Sequence, residues 1–146
     1  MKSIVNSQLT GKWDLIAQTY NRDVMRFVDV FIYLSIGCTD CLDLLYVAIK
    51  EDRSKVLRKF SLKLLTYNDE VFVSVKNAFF SKKLKLLTFD RKNELMIVAD
   101  EKMKNVSIFS RKSHVRHEMV EKALNEIDFS KSDKKEVELF SDKIFF

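Results

Sequence analysis

Proline is absent from this chain of 146 residues and glycine occurs only twice, so the turns must depend on other residues. Asn, Asp, Ser and Lys take those positions, because their side chains form local hydrogen bonds or tolerate turn conformations. Long apolar runs are also missing: the longest uncharged stretch, residues 30–39, is about half of the roughly 20 residues that cross a membrane as a helix. The length predicts one globular domain over residues 1–146.

No strong excess of one charge is present either. The net charge is +5, and 26 basic side chains are interleaved with 21 acidic ones. Lys82, Lys83 and Lys85 form one local cluster, which we interpret as a solvated strand face. That distribution argues against a nucleic-acid partner. Contact with anionic lipid headgroups at a membrane surface is left open as an alternative.

Cysteine and histidine are scarce, with two of each. Cys38 and Cys41 form a C-x-x-C in a predicted turn, where no helix N-terminus would lower a thiol pKa, so redox catalysis is disfavoured. The turn would hold two thiols, or a disulfide in an exported protein. Together with His114 and His117 these residues have the composition of a zinc site, but solvent-facing histidines on a helix are the preferred interpretation. No metal, cofactor or catalytic group is therefore predicted.

Short apolar segments separated by polar turns fill the chain up to Arg111. Alternation is clearest where Phe60, Leu62 and Leu64 share one face, and in the first segment Trp13, Leu15 and Ala17 are expected to share a face too. Eight such segments with no helical crossover predict an antiparallel up-and-down barrel or a sandwich. The predicted strands are residues 13–17, 27–36, 42–49, 59–64, 71–76, 84–89, 95–99 and 106–111.

After residue 111 the apolar spacing changes to that of a helix. We predict one amphipathic helix over residues 114–127, with Ser113 as its N-cap, lying on the outside of the barrel. A short last strand is expected at residues 137–140 within the C-terminal segment 128–146. The apolar residues that define the helix are Val115, Met119, Ala123, Leu124 and Ile127.

Three short segments in this order resemble the motifs of the lipocalin family. They are Gly11-Lys12-Trp13, then Leu87-Thr88-Phe89-Asp90-Arg91, then Ile108-Phe109-Ser110-Arg111 before the single helix. The resemblance covers roughly residues 9–140 and is greatest to bacterial lipocalins of the outer-membrane lipoprotein type, which are related to apolipoprotein D. It implies an all-β fold with one C-terminal helix: an eight-stranded antiparallel up-and-down barrel over about residues 11–111.

The resemblance also implies structural roles for Gly11, Trp13, Asp90 and Arg111. Trp13 would plug the closed end of the barrel, and the Arg111 guanidinium would lie across the indole ring in a cation–π contact. Departures from the pattern are visible as well. Ser107 stands where close relatives carry a large aromatic side chain on the last strand.

By the same resemblance, the function is the non-enzymatic binding, storage or transport of a small hydrophobic ligand, a fatty acid or lysophospholipid. Tyr20, Tyr46 or lysines near loop ends could hold its headgroup. One alternative is a barrel filled by its own side chains, which acts through protein–protein contact or as a homodimer. Another is a thiol enzyme that uses Cys38 or Cys41. The candidate lining residues are Phe31 and Tyr33 (or their neighbours on the other face), Phe60, Leu62, Leu64, Val71, Val73, Val75, Leu84, Leu86 and Phe109.

The start of the chain bears on the expected compartment. Residues 1–8 lack the apolar core of a secretory signal, and no cysteine precedes the fold to accept a lipid. Relatives of the lipoprotein type carry both a secretory signal and a cysteine that bears the lipid. The sequence as it stands therefore predicts a cytoplasmic protein, and removal of a signal peptide would instead point to the periplasm or outer membrane.

Overall fold

Eight antiparallel strands surround an interior that is mainly apolar, because alternate side chains of each strand point to the same side of the sheet. The computed structural model describes residues 5–19, 27–38, 40–102, 105–112, 114–126, 137–139 and 144–145. Each strand pairs with the next, and the eighth pairs back with the first, so the predicted closed barrel is confirmed. The strands are β1 Gly11–Thr19, β2 Phe27–Ile36, β3 Leu42–Lys50, β4 Lys55–Tyr67, β5 Glu70–Asn77, β6 Phe80–Asp90, β7 Leu95–Asp100 and β8 Val106–Ser110.

The up-and-down order gives the barrel two different ends. At the end where β1 begins, which we call the closed end, lie the β2–β3, β4–β5 and β6–β7 turns. A 3-10 helix, Asn6–Gln8, leads into β1 at this end. The β3–β4, β5–β6 and β7–β8 turns lie at the opposite end, which we call the open end.

The two-residue β4–β5 turn shows how the chain folds back without glycine. Asn68 and Asp69 both have positive φ, 50° and 62°, and join β4 to β5. Two successive positive φ values match the twist of a hairpin, and Asn and Asp adopt them at lower cost than most residues. Arg53 and Glu94 likewise have positive φ in the β3–β4 and β6–β7 turns, so these turns also form without glycine.

A bulge in β1 changes which residues face the interior. Leu15 is opposite Phe109 and Ala17 is opposite Ile108, so Ile16 is an extra residue in the ladder. Ala17 therefore packs with the cluster outside the barrel, and Gln18 turns toward the inside. The expectation that Ala17 shares a face with Trp13 and Leu15 was wrong, because alternation fails at the bulge.

The helix, α1, is His117–Asn125 and packs Val120 and Ala123 against the outer cluster of β1, β7 and β8. It begins later than residue 114, because Val115–Arg116 forms a short strand, β9. Ser113, Ile127 and Phe140 lie outside the described residues. In the part of the chain that the structure describes, no helix has the length and apolar character needed to cross a membrane. The remaining short strands are β10 Val137–Leu139, which pairs with β1 as the ninth strand of the main sheet, and β11 Ile144–Phe145, which pairs with β9.

Candidate functional site

The closed end is sealed around the single tryptophan. Trp13 is fully buried, and its Nε1 donates a hydrogen bond to the Leu9 carbonyl at 2.8 Å. The guanidinium carbon of Arg111 lies 4.5 Å from the indole centroid, and Arg111 also donates to the Gln8 carbonyl. Gly11, whose φ is +114°, passes beside Arg111 in a conformation that favours glycine. These groups pack around the indole ring and form the barrel floor.

Asp90 fixes the β6–β7 turn next to this floor. Its carboxylate accepts the Asn93 backbone N–H at 3.1 Å and the Asn93 side-chain amide at 2.7 Å. Partial burial opposes the charged form, but the hydrogen bonds from Asn93 outweigh it and lower the pKa of Asp90. The contacts of Asp90 are therefore those of a structural residue.

Above the floor lies an internal cavity of about 180 Å³ with an entirely apolar lining. Leu64 and Val71, which were predicted as lining residues, pack in the cluster that contains Trp13 and do not line this cavity. Its lining contains seven residues proposed from the sequence (Phe60, Leu62, Val73, Val75, Leu84, Leu86 and Phe109) together with Leu9, Ile32, Leu34, Leu44, Tyr46, Met96 and Val98.

Phe31 and Tyr33 lie on the outside of the barrel. Their rings contact each other edge to face at 5.5 Å, and the Lys12 ammonium lies 4.5 Å from the Phe31 centroid. The interior positions of β2 are Ile32 and Leu34. Naming Phe31 and Tyr33 as lining residues was therefore wrong, and the stated alternative, their neighbours on the other face, is the one that the structure shows. Because apolar residues occupy both faces of this strand, alternation could not distinguish the inside from the outside.

A second cavity of about 280 Å³ forms the mouth at the open end. It shares Val75, Leu84, Val98 and Phe109 with the apolar cavity, so the two spaces adjoin. Ser107 borders the mouth at the position where the resemblance indicates a large aromatic, and its small side chain leaves this space open. The polar residues of the mouth are Gln18, Thr19, Lys82, Asp100, Asn105 and Ser107.

Gln18 is the unusual group in this mouth. Its side chain is 7% exposed, and its Nε2 has no hydrogen-bond partner among the described residues. A buried donor without a partner costs about 1–3 kcal/mol, so a group that accepts its hydrogen bond would be stabilised there. Lys82 brings a positive charge to the same space, while the Asp100 carboxylate accepts the Asn105 amide at 2.9 Å. The mouth therefore offers donors to an anionic or strongly polar headgroup.

The other headgroup candidates contribute differently. The ring of Tyr46 lines the apolar cavity, and burial raises the pKa of its phenol, which keeps its proton at neutral pH. Tyr20 lies outside the described residues. Sequence reasoning missed Gln18, because nothing in the spacing of β1 signals the bulge that turns it inward.

Cys38 and Cys41 are joined by a disulfide in the β2–β3 turn at the closed end. While they are joined, neither can act as a thiolate ligand or nucleophile. His114 is exposed, and His117 Nε2 lies 3.5 Å from a Glu121 carboxylate oxygen on the same helix. Across the described residues, no three Cys, His, Asp or Glu side chains form a metal-binding cluster. Cys38, Cys41, His114 and His117 are therefore not brought together as a zinc site.

No protein-family model and no curated protein sequence matches this chain. Solved structures do match. A siderocalin, Ex-FABP, is 17% identical with a TM-score of 0.64, and the alignment covers 90% of this chain and 93% of that one. Lobster apocrustacyanin A1 is 18% identical with a TM-score of 0.61, over 86% of this chain and 75% of that one.

Lipocalin 12 from rat epididymis is 11% identical with a TM-score of 0.61, over 85% of this chain and 77% of that one. Identities this low establish the architecture alone. The chain has the lipocalin fold: a closed eight-stranded antiparallel barrel with one C-terminal helix.

Proposed function

We propose that this protein is a non-enzymatic carrier that binds one single-chain amphiphile, with its apolar tail in the barrel and its polar head at the mouth. The main support is the entirely apolar cavity, which adjoins a polar mouth. The lipocalin fold supports it further, because an eight-stranded barrel is wide enough to hold one small ligand. The siderocalin of the same fold is described as having dual ligand specificities.

Cavity size favours a slender ligand. The apolar cavity of about 180 Å³ is smaller than the ~300–1,000 Å³ of ordinary ligand pockets, so a ligand would also have to fill part of the mouth. Each methylene buried there contributes about 0.8 kcal/mol. A fatty acid or a lysophospholipid meets both conditions, because one acyl chain carries a polar head.

Blocking the mouth tests this function. Val98→Phe should place a ring where the mouth adjoins the apolar cavity and weaken fatty-acid binding by at least about tenfold, which corresponds to about 1.4 kcal/mol. Ser61→Phe, on the exposed outer face of β4, is the matched control. Calorimetric titration of delipidated protein should show one site per chain in the wild type and in the control. No binding by the wild type would support the filled barrel instead.

The headgroup is tested by Gln18→Leu and Lys82→Met. Both variants should bind a fatty acid more weakly and the corresponding fatty alcohol about as well as before, because only the acid needs the donors of the mouth. Titrating the same variants with lysophosphatidylcholine would show which of the two proposed ligands, fatty acid or lysophospholipid, binds more tightly. Equal losses for acid and alcohol would contradict the placement of the head.

We further propose that the protein works in an oxidising compartment. The support is the Cys38–Cys41 disulfide, because such bonds persist in exported proteins and are rare in the cytosol. This favours the periplasmic alternative and agrees with the resemblance to outer-membrane lipocalins, which itself stays a proposal. Thiol labelling under denaturing conditions in protein taken directly from cells would decide the point. Two reactive thiols per chain would contradict it.

A further inference from the structure

The tip of the β5–β6 hairpin exposes aromatic surface at the open end. Phe79 is 99% exposed, the highest value for a large apolar side chain among the described residues, and Phe80 beside it is 45% exposed. The Phe79 backbone N–H donates to Asn77 Oδ1 at 2.9 Å, so the turn that presents the ring has a defined conformation. The two adjacent exposed rings form a contiguous apolar patch on an ordered turn, and exposed apolar patches mark interaction sites.

Charge around this tip has one sign. No acidic residue occurs from 71 to 89, a stretch that contains four lysines, and none occurs from 53 to 68 on the neighbouring strand, which contains five basic residues. Lys59 and Lys76 are both exposed beside the hairpin, where the Lys59 carbonyl accepts the Asn77 amide. The acidic residues at the open end lie outside this hairpin and β4: residues 51–52 and 100–101, Asp29 in β2 and Glu138 in β10. The hairpin therefore combines an apolar tip with a cationic base.

The same hairpin borders the mouth of the barrel. Phe80 and Lys82 line the mouth, and the Phe80 ring contacts the Phe60 ring at a centroid distance of 5.6 Å. Phe60 in turn lines the apolar cavity. Whatever surface receives the tip will therefore lie directly over the entrance to the barrel.

We propose that this hairpin docks the open end of the barrel onto an anionic lipid bilayer. Phe79 would enter the interface, where aromatic rings are favoured, and the lysines would face anionic headgroups. A second copy of this chain fits less well, because it would bring an equal cationic surface against the first. The docking does not depend on a ligand in the cavity, but it would place the mouth against the bilayer.

Vesicle co-sedimentation of the delipidated full chain tests the proposal. The protein should bind vesicles of phosphatidylcholine mixed with phosphatidylserine, bind phosphatidylcholine alone much more weakly, and lose binding as salt rises. Phe79→Ser should weaken binding about tenfold, because it removes the side chain that is transferred from water. Tyr67→Ser, at the closed end with 69% exposure, is the matched control and should bind like the wild type.

Charge variants locate the cationic contribution. The double change Lys59→Gln and Lys76→Gln should weaken binding by about 25-fold at low salt, since each basic residue near an anionic surface contributes roughly fivefold. The double change Lys92→Gln and Lys112→Gln removes the same charge from exposed closed-end positions and should have a much smaller effect.

Three outcomes would overturn the docking proposal. They are no binding to the anionic vesicles, equal binding by the wild type and Phe79→Ser, and a dimer without vesicles that Phe79→Ser disrupts. Fatty-acid titration of Phe79→Ser keeps this proposal separate from the carrier function. If the variant binds fatty acid but the wild type does not bind vesicles, the carrier proposal stands and the docking proposal fails.

Discussion

The two ends of the barrel use the same strands in different ways. At the closed end, Trp13 is fully buried, its N–H has a partner, and Arg111 covers its ring. At the open end, Gln18 holds a buried donor without a partner among the described residues, and Phe79 lies fully in solvent. The closed end completes its interactions within the chain, whereas the open end leaves groups that a ligand or a surface could satisfy.

This difference separates stability from binding. Substitutions at the closed end should lower the free energy of unfolding and alter ligand affinity only through folding. Substitutions at the open end should alter binding and leave stability nearly constant or even increase it. The predictions below test that division, from the largest expected effect to the smallest.

Trp13→Ala should cause the largest loss. Removing a fully buried aromatic ring from a packed core costs about 3–5 kcal/mol, and here the hydrogen bond to Leu9 is lost as well. Urea unfolding followed by circular dichroism would measure the change. Tyr67→Ala, an exposed aromatic at the same end, should change the free energy of unfolding by less than about 0.5 kcal/mol. A similarly small change for Trp13→Ala would contradict the claim that the closed end stabilises the fold.

Arg111→Met should cost about 2 kcal/mol. The variant loses the cation–π contact with Trp13 and the charged hydrogen bond to the Gln8 carbonyl, although its apolar side chain keeps part of the packing. Arg111→Lys should recover less than half of the loss, because an ammonium cannot both cover the ring and reproduce the guanidinium geometry. Full recovery by lysine would show that charge alone matters at this position.

Gln18→Leu should raise the free energy of unfolding of the ligand-free protein by about 1 kcal/mol. Replacing a buried amide whose Nε2 has no partner among the described residues with an apolar group of similar size removes a desolvation cost. The same variant should bind fatty acids more weakly. Thermal unfolding and calorimetric titration of one preparation would measure both effects. Destabilisation of the ligand-free protein would mean that this amide already has a partner.

The smallest expected effect concerns Asp90 and pH. A lowered folded-state pKa means that the charged carboxylate stabilises the fold above its unfolded pKa, and that this contribution is lost as pH falls through the lower folded value. Asn93→Ala removes the side-chain amide bond, one of the hydrogen bonds that lower this pKa, and keeps the backbone N–H bond. The variant should be about 0.5–1 kcal/mol less stable at pH 7 and approach the wild type in strong acid. A difference independent of pH would exclude Asp90 as the cause.

Much of the architecture could be predicted from the sequence, because alternation and polar turns are local signals. Residues 27–36 were predicted as a strand with the same bounds that the structure shows. The inward face of that strand was assigned wrongly, because Phe31 and Ile32 are both apolar and either could occupy a buried face. In such a strand, only pairing with Gly11–Thr19 and Leu42–Lys50 fixes which side is inward.

The candidate site was less predictable, because its features depend on contacts distant in sequence. Ile16 becomes a bulge through pairing with β8, and that bulge alone turns Gln18 into the mouth. The helix start shifted to His117 for a similar reason, since Val115–Arg116 pairs with a segment near the C-terminus. Local periodicity contains no information about such pairings.

Native mass spectrometry of the purified protein, with lipid extraction of the same sample, most directly tests the claim that the open end holds a single-chain amphiphile. The account predicts one acyl lipid per chain, displaced by added fatty acid and absent from Val98→Phe. A mass that stays that of the chain alone under excess fatty acid and lysophospholipid would contradict it and leave a barrel filled by its own side chains.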